Sequence, residues 1–150
     1  MRISVAADHN GYELKNEITE ILKRDGHDVI DMGPHDLDPL DDYPDYAKPL
    51  AESVSSGETE RGIMVCGSGV GASVAANKVK GVRAAVCHDI YSAHQGVEHD
   101  DMNVLCLGSR IVGTEVVREL VSAFISAKYT NEERHARRLT KVIEMENDFT

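Results

Sequence analysis

The stretch VCGSGVGASVAANK, from Val65 to Lys78, sets a cysteine at the end of an apolar run and follows it with Gly67, Gly69 and Gly71. A thiol in such a place can serve as nucleophile or base. Glycines at alternate positions let backbone approach a bound group closely. Nucleotide binding, phosphate-ester hydrolysis through cysteine and isomerisation with a thiol base all use a loop of this kind. Gly67, Gly69 and Ala72 fit G-x-G-x-x-G/A, and Asp89 follows Gly69 by twenty residues, the spacing of a ribose-binding acid. A nucleotide-binding module using the Gly67–Gly71 loop and Asp89, with Cys66 structural, is therefore one reading. A cysteine phosphatase needs an arginine six residues after the thiol, and Ala72 stands there instead. A Walker A loop is absent, since no Lys-Ser or Lys-Thr follows a second glycine.

The remaining chemistry-bearing residues fall into small groups. Cys87 and Cys106 lie inside apolar runs and read as small buried hydrophobes. Cys66 differs because a helix should begin at its loop, and a helix N-terminus stabilises a thiolate. His94, His99, Asp100 and Asp101 match no metal-ligand spacing and read as a solvated helix end. The acidic run HDLDPLDD lacks the glycine and final glutamate of a calcium loop and reads as a solvated loop. ERHARR places Arg134 and Arg138 four residues apart, on one side of a helix, where two guanidiniums can grip one phosphate.

These groups need a scaffold to bring them together. Short runs rich in Val and Ile occur at Ile3 to Ala7, Val29 to Met32, Ile63 to Cys66, Val82 to Cys87 and Val104 to Leu107. Near-continuous apolarity in the last three suits strands buried on both faces. Helical stripes lie between and after them, at Leu14, Ile18, Ile21 and Leu22 and again from Val116 to Ile125. Tyr43-Pro44 opens another helical segment that Pro49 should delay or kink. A charged segment from Asn131 to Asn147 reads as a terminal helix. This alternation predicts an α/β fold with a five-stranded parallel sheet covered on both faces. Ligands bind beyond the carboxyl ends of such strands. Those ends carry Asp8 and His9, Cys66 and its glycines, His88 and Asp89, and Gly108 to Arg110.

The chain has 150 residues, the size of one domain, and no linker or repeat divides it, so residues 1–150 read as a single domain. A formal net charge of −10 argues against a nucleic-acid partner. Neither a signal-peptide pattern nor a membrane-length apolar run is present, and three cysteines form no disulfide framework. A soluble, cytoplasmic protein is expected.

Several segments occur in a telling order: ADHNGYELK, DYPDYA, CGSGVGASVAANK, EHDDMNVLCLGSR and RHARR. Over nearly the whole chain they resemble the type B ribose-5-phosphate isomerases, a family that includes galactose-6-phosphate and allose-6-phosphate isomerases. The resemblance implies a Rossmann-like three-layer αβα sandwich with a C-terminal helix and a phosphorylated sugar as substrate. It also implies no metal or cofactor, and a homodimer, or a tetramer, with active sites shared between subunits. It makes Cys66 the base and His99 the group that opens the sugar ring. Some members carry a glutamate further along the loop, but Val74 or a neighbour holds that place here, which leaves Cys66. The loop of Gly67, Ser68, Gly69, Val70 and Gly71 matches an enediolate-binding loop. Asp8, His9, Tyr43 and Arg110 match substrate contacts, and Arg134 and Arg138 match a phosphate grip. Asp100 departs from the pattern, since members commonly have Asn after the ring-opening histidine. An ionised Asp can only accept hydrogen bonds, so Asp100 is expected to face sugar hydroxyls or His99. The sugar itself stays open among ribose, allose, galactose and tetrose phosphates and free sugars.

Overall fold

Alternation of buried side chains along each strand explains the layering. In a computed structural model, which describes residues 1–148, β1 (Arg2–Ala7), β2 (Asp28–Asp31), β3 (Arg61–Cys66), β4 (Ala84–Val86) and β5 (Val104–Gly108) form one parallel sheet. Its strand order is β2-β1-β3-β5-β4. Ile3, Val5, Ile63, Val65, Leu105 and Leu107 point to one face, where α1 (Tyr12–Arg24), α4 (Ile90–Asp100) and α5 (Thr114–Ser126) cover them. Ala6, Met64, Cys66, Val104 and Cys106 point to the other, beneath α2 (Tyr43–Ser55) and α3 (Val70–Ala76). Period-two alternation thus serves two cores at once. The expected three-layer αβα sandwich is the observed architecture, and α6 (Glu133–Asp148) packs outside it against α4.

Two expectations about elements are corrected. Pro49 does not delay α2; the helix runs through it, although proline removes one helical hydrogen bond. Burial of Ala47, Leu50, Ala51 and Val54 on the flanking turns offsets that loss. The fourth strand spans only Ala84–Val86 rather than Val82 to Cys87. It is the edge strand, and Asn77 and Asn103 side chains take backbone partners at its start: the amides of Ala84 and Arg83 donate to Asn77 Oδ1 and Asn103 Oδ1.

The sheet order sets where a ligand fits. From β1 the chain moves to β2 on one side and to β3 on the other, so a crevice opens beyond their carboxyl ends. Cys66 is in register with Gly108, which brings the loops after β3 and β5 side by side. The amides of Ser109 and Arg110 donate to the carbonyls of Cys66 and Gly67 at 2.9 and 3.1 Å.

Candidate active site

A cavity of about 330 Å³ occupies this crevice, walled by Asp8, Tyr43, Cys66, Ser68, Arg110 and Ile111 together with Gly67 and Gly71. Cys66 is 4% exposed and its sulfur accepts a hydrogen bond from the Gly69 amide at 3.1 Å. Gly69 reaches that geometry at φ +80°, a conformation that favours glycine. Gly71 lies flat beneath the Tyr43 ring; a Cβ there would stand 2.8 Å from the ring's Cζ. Ser68 Oγ accepts from the Val70 amide at 3.3 Å, so the loop is braced by its own hydroxyl. The other thiols sit elsewhere. Burial pushes Cys87 up to about 11 and raises Cys106 further, which keeps both as neutral thiols.

Asp8 is almost fully buried, and its Oδ1 accepts from the amides of Asn10 and Gly11 at 2.9 and 3.2 Å, fixing the turn into α1. His9 does not line the cavity. It leans away onto Asp41, which accepts from the His9 amide and faces His9 Nδ1 at 2.9 and 2.7 Å. Asn10 joins it to the wall, since Arg110 donates to Asn10 Oδ1 at 2.7 Å. Asp89, the acid of the nucleotide reading, caps α4 by accepting from the Ser92 amide at 2.7 Å. That bond holds its carboxyl below the usual range.

His99, Asp100, Arg134 and Arg138 form a separate group. α4 runs antiparallel to the strands, so its last turn returns to their amino ends; Arg83 just before β4 pairs with Asp101 just after α4 at 2.8 Å. A strand of five residues spans roughly 15 Å, and one chain therefore holds His99 and Cys66 toward opposite ends of its strands. Gln95 Nε2 meets His99 Nδ1 at 2.8 Å. The His99 ring stacks on His135 at 3.9 Å between centroids. Burial holds the His135 imidazole below its ordinary range, with His99 adding to the effect. Arg134 pairs with Glu132 at 3.1 Å. Asp100 and Arg138 border a larger, mainly apolar cavity of about 490 Å³, lined by Val82, Ala84, Met102 and Val142 between the β4 edge and α6.

The sequence did not single out Asn10, Asp41, Gln95, His135 or Ile111. Of these, Asn10 and His135 lay inside quoted motifs, ADHNGYELK and ERHARR, and Asp41 inside the acidic run HDLDPLDD; Gln95 and Ile111 carried no signal. Among the described residues no group of three or more His, Cys, Asp or Glu side chains is arranged to hold a metal ion, and no helix is long and apolar enough to cross a membrane.

The Cys66 thiol, bonded to a loop amide, thus lies in a crevice at the sheet's switch point. Residues 3–142 match the Ribose/Galactose Isomerase family, and the chain belongs to that family. It is 43% identical over 145 residues to the ribose-5-phosphate isomerase B of Escherichia coli, covering 97% of this chain and 96% of that protein. It is 43% identical over 129 residues to the galactose-6-phosphate isomerase subunit LacB of Clostridium acetobutylicum, covering 86% and 74%. The structure of Clostridium thermocellum ribose-5-phosphate isomerase B superposes with a TM-score of 0.96 at 45% identity over the full length of both chains.

Proposed function

We propose that this sugar-phosphate isomerase interconverts ribose 5-phosphate and ribulose 5-phosphate through a cis-enediolate, with Cys66 as the base. The observation that carries the reading is the Cys66 sulfur in the cavity, bonded to the Gly69 amide of a glycine loop. The thiolate takes the proton from the carbon beside the carbonyl and returns it to the neighbouring carbon, so one group serves both halves of the reaction. Negative charge grows meanwhile on the carbonyl oxygen. Backbone amides of the Gly67–Gly71 loop supply donors for it, each worth about 3 kcal/mol in such a role. Asp8, Tyr43 and Arg110 contact the sugar, and His9 backs Arg110 through Asn10.

His99 opens the cyclic sugar, and Arg134 and Arg138 hold the phosphate. Their position toward the opposite end of the strands from Cys66 supports a site completed by a second copy of the chain, and hence a homodimer. Gln95 supports the role of His99: an amide NH₂ donating to Nδ1 leaves the proton on Nε2, ready to be given to the ring oxygen. The single domain of residues 1–150 and a cytoplasmic setting belong to the same reading. A coupled assay across ribose, allose, galactose and tetrose phosphates tests it. Fastest turnover of ribose 5-phosphate is expected; inactivity on every aldose phosphate would overturn it.

Arg134→Ala and Arg138→Ala are expected to raise KM for the phosphorylated sugar by about tenfold each, with kcat changed less. A charge-assisted bond to phosphate contributes roughly 1.5–3 kcal/mol, mostly to uniform binding. Steady-state kinetics of each variant check this, and unchanged KM would leave α6 with an exposed basic face only.

A further inference from the structure

Asp41 is a buried carboxylate in the loop between β2 and α2, 6% exposed at its side chain. Its Oδ1 accepts from the His9 amide and faces His9 Nδ1, and the carboxylate also stands against the Tyr46 hydroxyl of α2.

The hydrogen bonds beyond His9 run in one direction. An ionised carboxylate only accepts, so the neutral His9 ring carries its proton on Nδ1 and leaves Nε2 bare. Asn10 Nδ2 then donates to His9 Nε2 at 3.0 Å, and Asn10 Oδ1 accepts from Arg110 at 2.7 Å. Protonating His9 places a hydrogen on Nε2, and Asn10 must turn its oxygen to meet it. Its NH₂ would then face Arg110, which can only donate. His9 therefore gains its second proton more readily once Arg110 leaves Asn10, and an anion in the cavity is what draws Arg110 away.

We propose that Asp41 is a positioning residue of the active site, acting through His9 and Asn10, so that anion binding at Arg110 is linked to proton uptake at His9. The inference rests on the reading of Arg110 as a substrate contact, and takes that contact to reach the anionic group of the substrate. The charged groups facing His9 are Asp8 at the end of β1, Asp41 itself and, across Asn10, Arg110 from the β5–α5 loop. Tyr46 of α2 stands against Asp41 and is kept protonated by burial and by that carboxylate. The Asp41 hydrogen bond holds His9 above the ordinary imidazole range; burial opposes it and Asp8 adds to it. An anionic substrate that draws Arg110 away thus meets a second cation as it binds.

Nitrogen-15 NMR of the histidine rings, with inorganic phosphate as the probe, tests the relay. In the unmodified protein the neutral His9 ring is expected as the Nδ1–H tautomer, and saturating phosphate is expected to raise its titration midpoint by about one pH unit. Asp41→Asn is expected to lower the midpoint by about one unit. Asn10→Ala keeps both charges but removes the relay, and is expected to abolish most of the phosphate-induced rise. An Nε2–H tautomer, a midpoint indifferent to phosphate, or a full rise retained in Asn10→Ala would each overturn the proposal. The tautomer and the phosphate response need no substitution, so they decide the matter even if Asp41→Asn does not fold. None of these readouts depends on turnover, so inactivity on aldose phosphates would refute the functional reading separately.

Discussion

Cys66→Ala lowers kcat by about a thousandfold or more while KM stays within about threefold. A positioned general base contributes roughly 10²–10⁴, and in the proposed mechanism Cys66 acts twice in each turnover. On that reading binding is spared, because the thiol would touch only the reacting carbons while other groups hold the phosphate and hydroxyls. The Gly69 amide that bonds the sulfur belongs to the loop backbone, so the loop survives the truncation. Steady-state kinetics check the first two quantities, and direct binding of ribulose 5-phosphate separates loss of chemistry from loss of affinity. Cys106→Ala is the control. Its thiol is fully buried beneath α2 and α3, and the change is expected to cost about 1–2 kcal/mol of stability through a small cavity, with kcat intact. Retention of turnover in Cys66→Ala, or loss of it in Cys106→Ala, would move the base elsewhere.

The half of the site around Cys66 was legible because it obeys a rule of parallel sheets. Asp8, Cys66 and Arg110 each follow an apolar run, and such runs become strands whose carboxyl ends share one edge. The layered fold was legible for the same reason, since Val- and Ile-rich runs alternated with helical stripes. Sequence spacing could not tell where His99 falls relative to Cys66. That depends on α4 running back to the other edge, which only the assembled sheet makes plain. Asp41 was hidden for a different reason. It stands in an acidic run beside Asp36, Asp38 and Asp42, and nothing local distinguishes the buried carboxylate from the exposed ones. Asp89 shows the opposite failure: its spacing from Gly69 suited a ribose acid, but the start of α4 takes it as a cap. Asp100 borders the apolar cavity with Arg138, away from the Cys66 crevice.

Mixing two inactive variants is expected to restore activity. Cys66→Ala lacks the base, and His99→Ala lacks the group that opens the cyclic sugar. If every site takes Cys66 from one copy and His99 from the other, a mixed dimer has one site with both defects and one with neither. Random exchange makes half of the dimers mixed, which returns about one quarter of the sites to full function. The recovery should be large against parents each depressed by about two orders of magnitude or more. The two ends of the sheet motivate this expectation: Cys66 closes β3 at its carboxyl end, and His99 lies toward the strands' amino ends, stacked on His135 of α6. The apolar cavity between the β4 edge and α6, bordered by Asp100 and Arg138, lies on the same two helices as the His99 group. Co-refolding the two variants at equal concentration and assaying cyclic ribose 5-phosphate checks the prediction. An open-chain aldose provides the internal control, because the His99→Ala parent should turn it over without ring opening. Verified mixed dimers with no gain on the cyclic sugar would mean that each chain completes its own site, and His99 would lose its assigned role.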